Sequence, residues 1–166
     1  MPITKILVEG PDCSGKTTLV ERLKNKLLWD AKSLHHKEGN QFTRYQREYA
    51  FGEQIVFNRA HFSERVYSKL WRGGDPFSNQ ERDILNQLCT IDTLVILALP
   101  SLGIMQERYQ KRNFPQQITY EELGECRELF CDEFKDVAHI FYASMDYNEL
   151  ENVIKNVYEA VILVKK

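Results

Sequence analysis

Apolar residues along the chain follow two alternating rhythms. Short continuous apolar runs are separated by stretches in which apolar positions recur every three or four residues. ITKILVE (3–9) reads as a buried strand, and Leu19, Val20, Leu23, Leu27 and Leu28 then follow helical spacing. SLHHK (33–37) predicts a weak strand and QIVFN (54–58) a stronger one. Helical patterns follow at 62–71 and 78–89, the second opened by a capping box of Ser78 and Glu81. TLVILAL (93–99) predicts the central strand, because continuous apolarity suits a sheet covered on both faces; Pro100 ends it. A charged helix is expected over 102–113. Another is expected from Thr119, with Glu122 completing a second capping box and Leu123, Cys126, Phe130, Phe134 and Val137 forming its apolar stripe. HIFYA (139–143) is the last expected strand. Asn148 with Glu151 is expected to cap a final helix carrying Leu150, Val153, Ile154, Val157 and Val161. Five strands separated by helices imply a three-layer α/β fold with a parallel sheet. Ligands in such folds sit at the carboxyl ends of the strands.

Composition narrows this picture. At 166 residues and 43% hydrophobic content the chain suits one domain, 1–166, around a sizeable core. A formal net charge of -2 argues against a nucleic-acid-binding protein. The longest strongly apolar run, LVILAL, is far too short to span a bilayer, and MPITK lacks the ordered charged and apolar regions of a signal peptide. Cys13, Cys89, Cys126 and Cys131 form no CxxC pair and read as reduced thiols of a cytoplasmic protein.

Chemistry enters at the end of the first strand. Gly10 to Thr17, within EGPDCSGKTT, matches G-x-x-x-x-G-K-[ST] between a predicted strand and an amphipathic helix. Glycines let the backbone curl so that its N–H groups point at phosphate oxygens. Asp12, Cys13, Ser14, Gly15, Lys16, Thr17 and Thr18 are therefore expected around the phosphates of ATP. Lys16 would reach the β- and γ-phosphates, and the Thr17 hydroxyl would ligate Mg²⁺. The pattern predicts a nucleoside triphosphate bound through its phosphates. A GTP switch is disfavoured, since the guanine-reading NKxD and a DxxG loop separate from the phosphate loop are both missing. A motor-type ATPase is disfavoured because TLVILALP ends without acidic residues. Arg59, Arg108 and Arg112, at strand ends and on helices, instead suit a small kinase that clamps two phosphorylated substrates.

EGPDCSGKTT, FNRAHFSERVY and ERYQKR resemble the thymidylate kinase family of nucleoside monophosphate kinases, at its phosphate loop, its DR-x-x-x-S-x-x-x-Y/F motif and its arginine-rich lid. YASMDYNELENVIKNV is similar to the loop and helix that hold the adenine of ATP, and the chain looks like a compact, phage-encoded version. The resemblance implies strand order 2-3-1-4-5, a short helical lid near 104–118, phosphate transfer from ATP to a deoxynucleoside monophosphate such as dTMP, Mg²⁺, and often a homodimer.

Carried over by residue, the resemblance implies that Asp12 holds the sugar 3′-hydroxyl and that Tyr67, one helical turn beyond Ser63, lies against the sugar. Arg59, after a strand end, is of a type that grips the acceptor phosphate bidentately. Arg108 and Arg112, four apart on one helix face, are expected to close over the transferring phosphate, because Cys13 stands where some family members carry a loop arginine. The base pocket is expected within 38–53, with Phe42, Tyr45 or Tyr49 stacking and Arg44 or Gln46 at the base edge. His35 and His36 make a poor metal pair on opposite strand faces. The family's aspartate before the arginine is Asn58 here. That favours a monophosphate, whose oxygen is already anionic, over a nucleoside, whose 5′-hydroxyl needs a base. A deoxynucleoside kinase or a kinase for a modified nucleotide is the alternative reading, and a non-catalytic nucleotide-binding module is a third.

Overall fold

The structure is a computed structural model and describes residues 2–113 and 117–163. Five strands form one sheet: β1 (Lys5–Glu9), β2 (Asp30–Ser33), β3 (Ile55–Asn58), β4 (Thr93–Ala98) and β5 (Ile140–Tyr142). All pairings are parallel and the order is β2-β3-β1-β4-β5, as expected. The helices are α1 (Lys16–Leu27), α2 (Gln41–Phe51), α3 (His61–Trp71), α4 (Asn79–Thr90), α5 (Leu102–Gln110), α6 (Glu122–Phe134) and α7 (Tyr147–Leu163).

Strand alternation divides the core in two. Ile6 and Val8 of β1 join Ile96 of β4 and pack under Leu19 and Leu23 of α1 and Val153 and Val157 of α7. Leu7, Phe57 and Val95 face the other way, onto α2 to α6, where Phe62, Phe130 and Phe134 are fully buried. Glu9, two residues beyond Leu7, therefore points into this second layer. β1, fully buried along its length, lies at the centre of the sheet with β3 and β4 on its sides. Its carboxyl end opens between two neighbouring strand ends.

Two expectations are corrected, and one segment left without an element gains one. The weak strand expected at 33–37 is β2 at 30–33. Only its last residue lies in the expected range, and 34–40 is irregular. The segment 38–53 holds a regular helix, α2, capped by Asn40, whose side chain accepts the Thr43 N–H at 2.9 Å. The final helix is capped by Asp146, which accepts the Glu149 N–H at 2.9 Å, while the Glu149 carboxylate accepts from Ala143 and Met145. Glu151 pairs instead with Arg22. The boxes at Ser78/Glu81 and Thr119/Glu122 form as expected. Among the described residues no helix is long and apolar enough to cross a membrane, and no disulfide joins Cys13, Cys89, Cys126 or Cys131.

Candidate active site

The loop between β1 and α1 is shaped by its glycines. Gly10 has φ 147°, and a Cβ there would lie 2.1 Å from the Ala98 carbonyl oxygen; Gly15 has φ 88°, and its Cβ would lie 2.5 Å from Ser144 Oγ. No other residue fits either position. Cys13 and Arg59 also hold left-handed backbone, at φ 65° and 72°, a strain that clusters at functional sites. α1 begins at Lys16 with no side-chain cap, so its first N–H groups face the loop. Lys16 is buried, and its Nζ donates to Pro11 O at 2.6 Å and to Ser14 Oγ at 3.4 Å. Burial, followed by the Arg59 charge, lowers its pKa from the usual lysine range. Thr17 and Thr18 are exposed on the first turn of α1.

One side of the loop opens on a cavity of about 520 Å³ whose lining includes Cys13, Gly15, Thr18, Arg108, Arg112 and Ser144. Arg108 Nη1 donates to Cys13 O at 3.2 Å and to Ser144 Oγ at 2.9 Å, and Nη2 donates to Ser144 O. The structure thus uses Arg108 as a brace between α5, the phosphate loop and the β5–α7 loop. Arg112 is exposed just beyond α5, and its charge acts on both Asp12 and Cys13. The two arginines expected as a pair are therefore placed differently. Of the expected lid, 104–118, residues 114–116 lie outside the described residues.

The other side opens on a cavity of about 400 Å³ whose lining includes Arg59, Ser63, Glu64, Tyr67, Trp71 and Arg72. Arg59 follows β3 directly, and its backbone N–H donates to Val8 O at 3.0 Å. Its guanidinium lies 4.9 Å from the centre of the Tyr67 ring and donates to the Asp12 carboxylate. Burial acts to raise the Asp12 pKa. The charges of Arg59 and Lys16 and the Arg59 hydrogen bond outweigh it and hold the pKa below the usual carboxylate value. The structure therefore brings Asp12, Arg59, Ser63 and Tyr67 together at the loop.

Tyr45 is not among them. It is fully buried in the core, with its hydroxyl 3.5 Å from Leu34 O, and Arg44 donates to His35 O at 2.6 Å on the outer side of α2. Neither lines this cavity. Tyr49 is likewise in the core, with its hydroxyl 2.6 Å from His61 Nδ1. His35 and His36 lie beyond β2 rather than on opposite faces of a strand: His36 Nδ1 lies 2.6 Å from Glu64 Oε1, and both line the cavity.

Sequence reasoning missed Glu9. This carboxylate is fully buried, accepts the Ala60 N–H at 2.7 Å and the Ser63 N–H at 3.1 Å, and takes the Ser63 hydroxyl proton in a further hydrogen bond. It caps α3 from another strand, since the N-cap Ala60 has no side-chain acceptor. Burial raises its pKa, against the Ser63 hydrogen bonds and the Arg59 charge. The only sequence signal was position, directly before Gly10. Trp71 was also missed, although it extends the helix row of Ser63 and Tyr67, as was Arg72 just beyond it.

The sequence matches no family model and no curated protein. Solved structures do match. YorR from Bacillus subtilis, in complex with phosphorylated GDP, superposes with a TM-score of 0.84 at 18% identity over 98% of each chain. Deoxyadenosine kinase from M. mycoides, with products dCMP and dCDP, gives 0.63 at 15% over 93% of this chain and 98% of that one. Shikimate kinase from Acinetobacter baumannii gives 0.62 at 15% over 99% and 95%. The chain has the fold of the P-loop kinases. At the carboxyl end of β1 the loop lies between the cavities of Arg108 and of Arg59.

Proposed function

We propose that the chain transfers the γ-phosphate of ATP to a deoxynucleoside 5′-monophosphate, giving the diphosphate. The carrying observation is the Arg59–Asp12 pair beside Lys16, where the acceptor cavity meets the phosphate loop. A phosphate oxygen competes for the same guanidinium edge, and Asp12 is then available to accept from a sugar hydroxyl. The nucleotides held by YorR and by the deoxyadenosine kinase are in keeping with this reading.

The acceptor oxygen is already anionic, so positioning and charge carry the reaction. Lys16 and the loop N–H groups orient the donor, Arg59 holds the acceptor, and Arg112 supplies charge over the transferring group. Magnesium fits the donors present. The exposed Thr17 hydroxyl is a hard oxygen donor, of the kind magnesium takes together with waters and substrate phosphates. The Thr17 hydroxyl would hold it, and Asn58 Oδ1, buried and without a hydrogen-bond partner among the described residues, offers an acceptor for a water on the ion. When bound, the ion neutralises donor phosphate charge.

Glu9 supports a second reading, a deoxynucleoside kinase. It supplies a buried carboxylate at the end of β1, one residue beyond the Val8 that pairs with Asn58 and on the opposite face, so the asparagine no longer argues against a nucleoside. Side-by-side ADP release with deoxynucleosides and their monophosphates decides between the two. The monophosphates are expected to turn over faster; faster nucleosides overturn the proposal.

A further inference from the structure

The acceptor cavity runs along α3. Ser63, Tyr67 and Trp71 form one row of that helix, four residues apart, with Glu64 and Arg72 beside it. From Ser63 to Trp71 the helix rises roughly 12 Å, so a nucleotide with its phosphate at Arg59 extends its base toward Trp71. The Tyr67 and Trp71 rings stack with centroids 4.9 Å apart and 22° between planes, and Trp71 Nε1 donates to Glu122 Oε1 at 3.1 Å. The indole is thus a fixed, flat wall.

Next to it sits a carboxylate with half of its capacity taken. The Glu64 side chain is 3% exposed; its Oε1 accepts from Arg72 Nη2 at 2.7 Å, from His36 Nδ1 at 2.6 Å and, at 3.5 Å, from the Ser68 hydroxyl. Oε2 accepts from nothing among the described residues. Arg72 spends Nη2 and Nε on Glu64 and Ser68, and its Nη1 makes no hydrogen bond among the described residues. The cavity's far end therefore presents one donor beside an acceptor with room for about two more N–H groups.

We propose that Glu64 and Arg72 read the base of the acceptor and select a guanine edge. The assignment rests on this cavity being the acceptor site. Guanine offers N1–H and N2–H side by side, filling the two remaining acceptor positions of Glu64, with O6 adjacent for Arg72 Nη1. Thymine and uracil offer one N–H between two carbonyls, so one carbonyl faces the carboxylate. Adenine and cytosine set a ring-nitrogen lone pair against it. The far end of the cavity thus departs from the thymine that the phosphate-end resemblance implies.

The test is a panel of dGMP, dIMP, dTMP, dCMP and dAMP with ATP, followed by ADP release, with calorimetric binding of the same monophosphates as a readout independent of turnover. dGMP is expected to lead in both. dAMP should fall at least about a hundredfold in kcat/KM, since a site built for N–H donors rejects an edge that lacks them. dIMP, without the exocyclic amine, should fall about tenfold. In Glu64→Gln the dGMP-to-dAMP ratio should shrink by at least about tenfold. Should that variant fail to fold, Arg72→Gln, at a position one-third exposed, should weaken dGMP while sparing dAMP. Any other monophosphate matching dGMP in rate and affinity overturns the proposal, as does an unchanged ratio in a folded variant. If only nucleosides turn over but deoxyguanosine leads them, the base assignment stands and the monophosphate reading fails.

Discussion

Replacing Glu9 by glutamine separates capping from catalysis. Glu9 Oε1 accepts the Ala60 and Ser63 N–H groups, at 2.7 and 3.1 Å, and Oε2 accepts the Ser63 hydroxyl proton. Glutamine keeps a carbonyl oxygen for both N–H groups and turns an amide toward Ser63 Oγ, which can rotate to accept. Both backbone donors keep their acceptor and one amide N–H is left without one, so Glu9→Gln should cost about 1–3 kcal/mol at low pH. Glu9→Ala instead strands two buried N–H groups at about 1–3 kcal/mol each, about 2–6 kcal/mol together. The two variants differ from wild type in pH dependence as well. Burial pushes the Glu9 pKa up from 4.5 to about 7. A raised acid holds its proton more tightly when folded, so its contribution is complete below about pH 4.5 and is lost as pH rises through the folded value. Wild type should therefore lose about 3 kcal/mol relative to Glu9→Gln across that interval. Urea unfolding from pH 4.5 to 8 measures this. Steady-state turnover at pH 7.5 tests the chemistry: monophosphate transfer should survive within about tenfold, whereas removing a general base costs about 10²–10⁴. A fall beyond a hundredfold with monophosphates, in a variant as stable as wild type, refutes the positioning mechanism. Parallel stability curves refute the raised pKa.

Other expectations are simpler to state. Lys16→Ala should abolish phosphoryl transfer while the protein still folds, and normal turnover would remove the phosphate loop from the active site. Arg112→Ala should lower kcat by about 10³ or more with little change in substrate KM. Arg108→Ala, which cuts the brace to Cys13 and Ser144, should act mainly on the KM for ATP; equal effects of the two variants would show that their placement here does not matter. Arg59→Ala should weaken monophosphate binding at least about tenfold and leave ATP binding near normal, since a charge-assisted hydrogen bond contributes roughly 1.5–3 kcal/mol; titration calorimetry with each ligand separately checks it.

What was legible in the chain was what is local or strongly periodic. β1 and β4 are buried on both faces and therefore continuously apolar, and the phosphate loop is a contiguous motif. β2 is an edge strand, DAKS, with no fully buried residue, so its signal was displaced onto Leu34, the buried residue just after it. In α2 the spacing of Phe42, Tyr45 and Tyr49 was helical. An aromatic row does not say whether it faces ligand or core, and Tyr45 and Tyr49 face core. Glu9 was illegible for another reason: its partner Ser63 lies 54 residues away, and only the β1–β3 pairing brings α3 to it. That non-local contact has a mechanical consequence. The strand that leads into the phosphate loop also caps the helix carrying Ser63, Tyr67 and Trp71, so the loop and this wall of the cavity are tied to one another through the Glu9 carboxylate as well as through the Asp12–Arg59 pair. Any residue that keeps an acceptor at position 9 preserves that registry, and one that removes it tilts the start of α3 away from the loop. Glu9→Ala should therefore lose kcat with monophosphates even where Glu9→Gln does not, a split that a proton-transfer role for Glu9 would not produce.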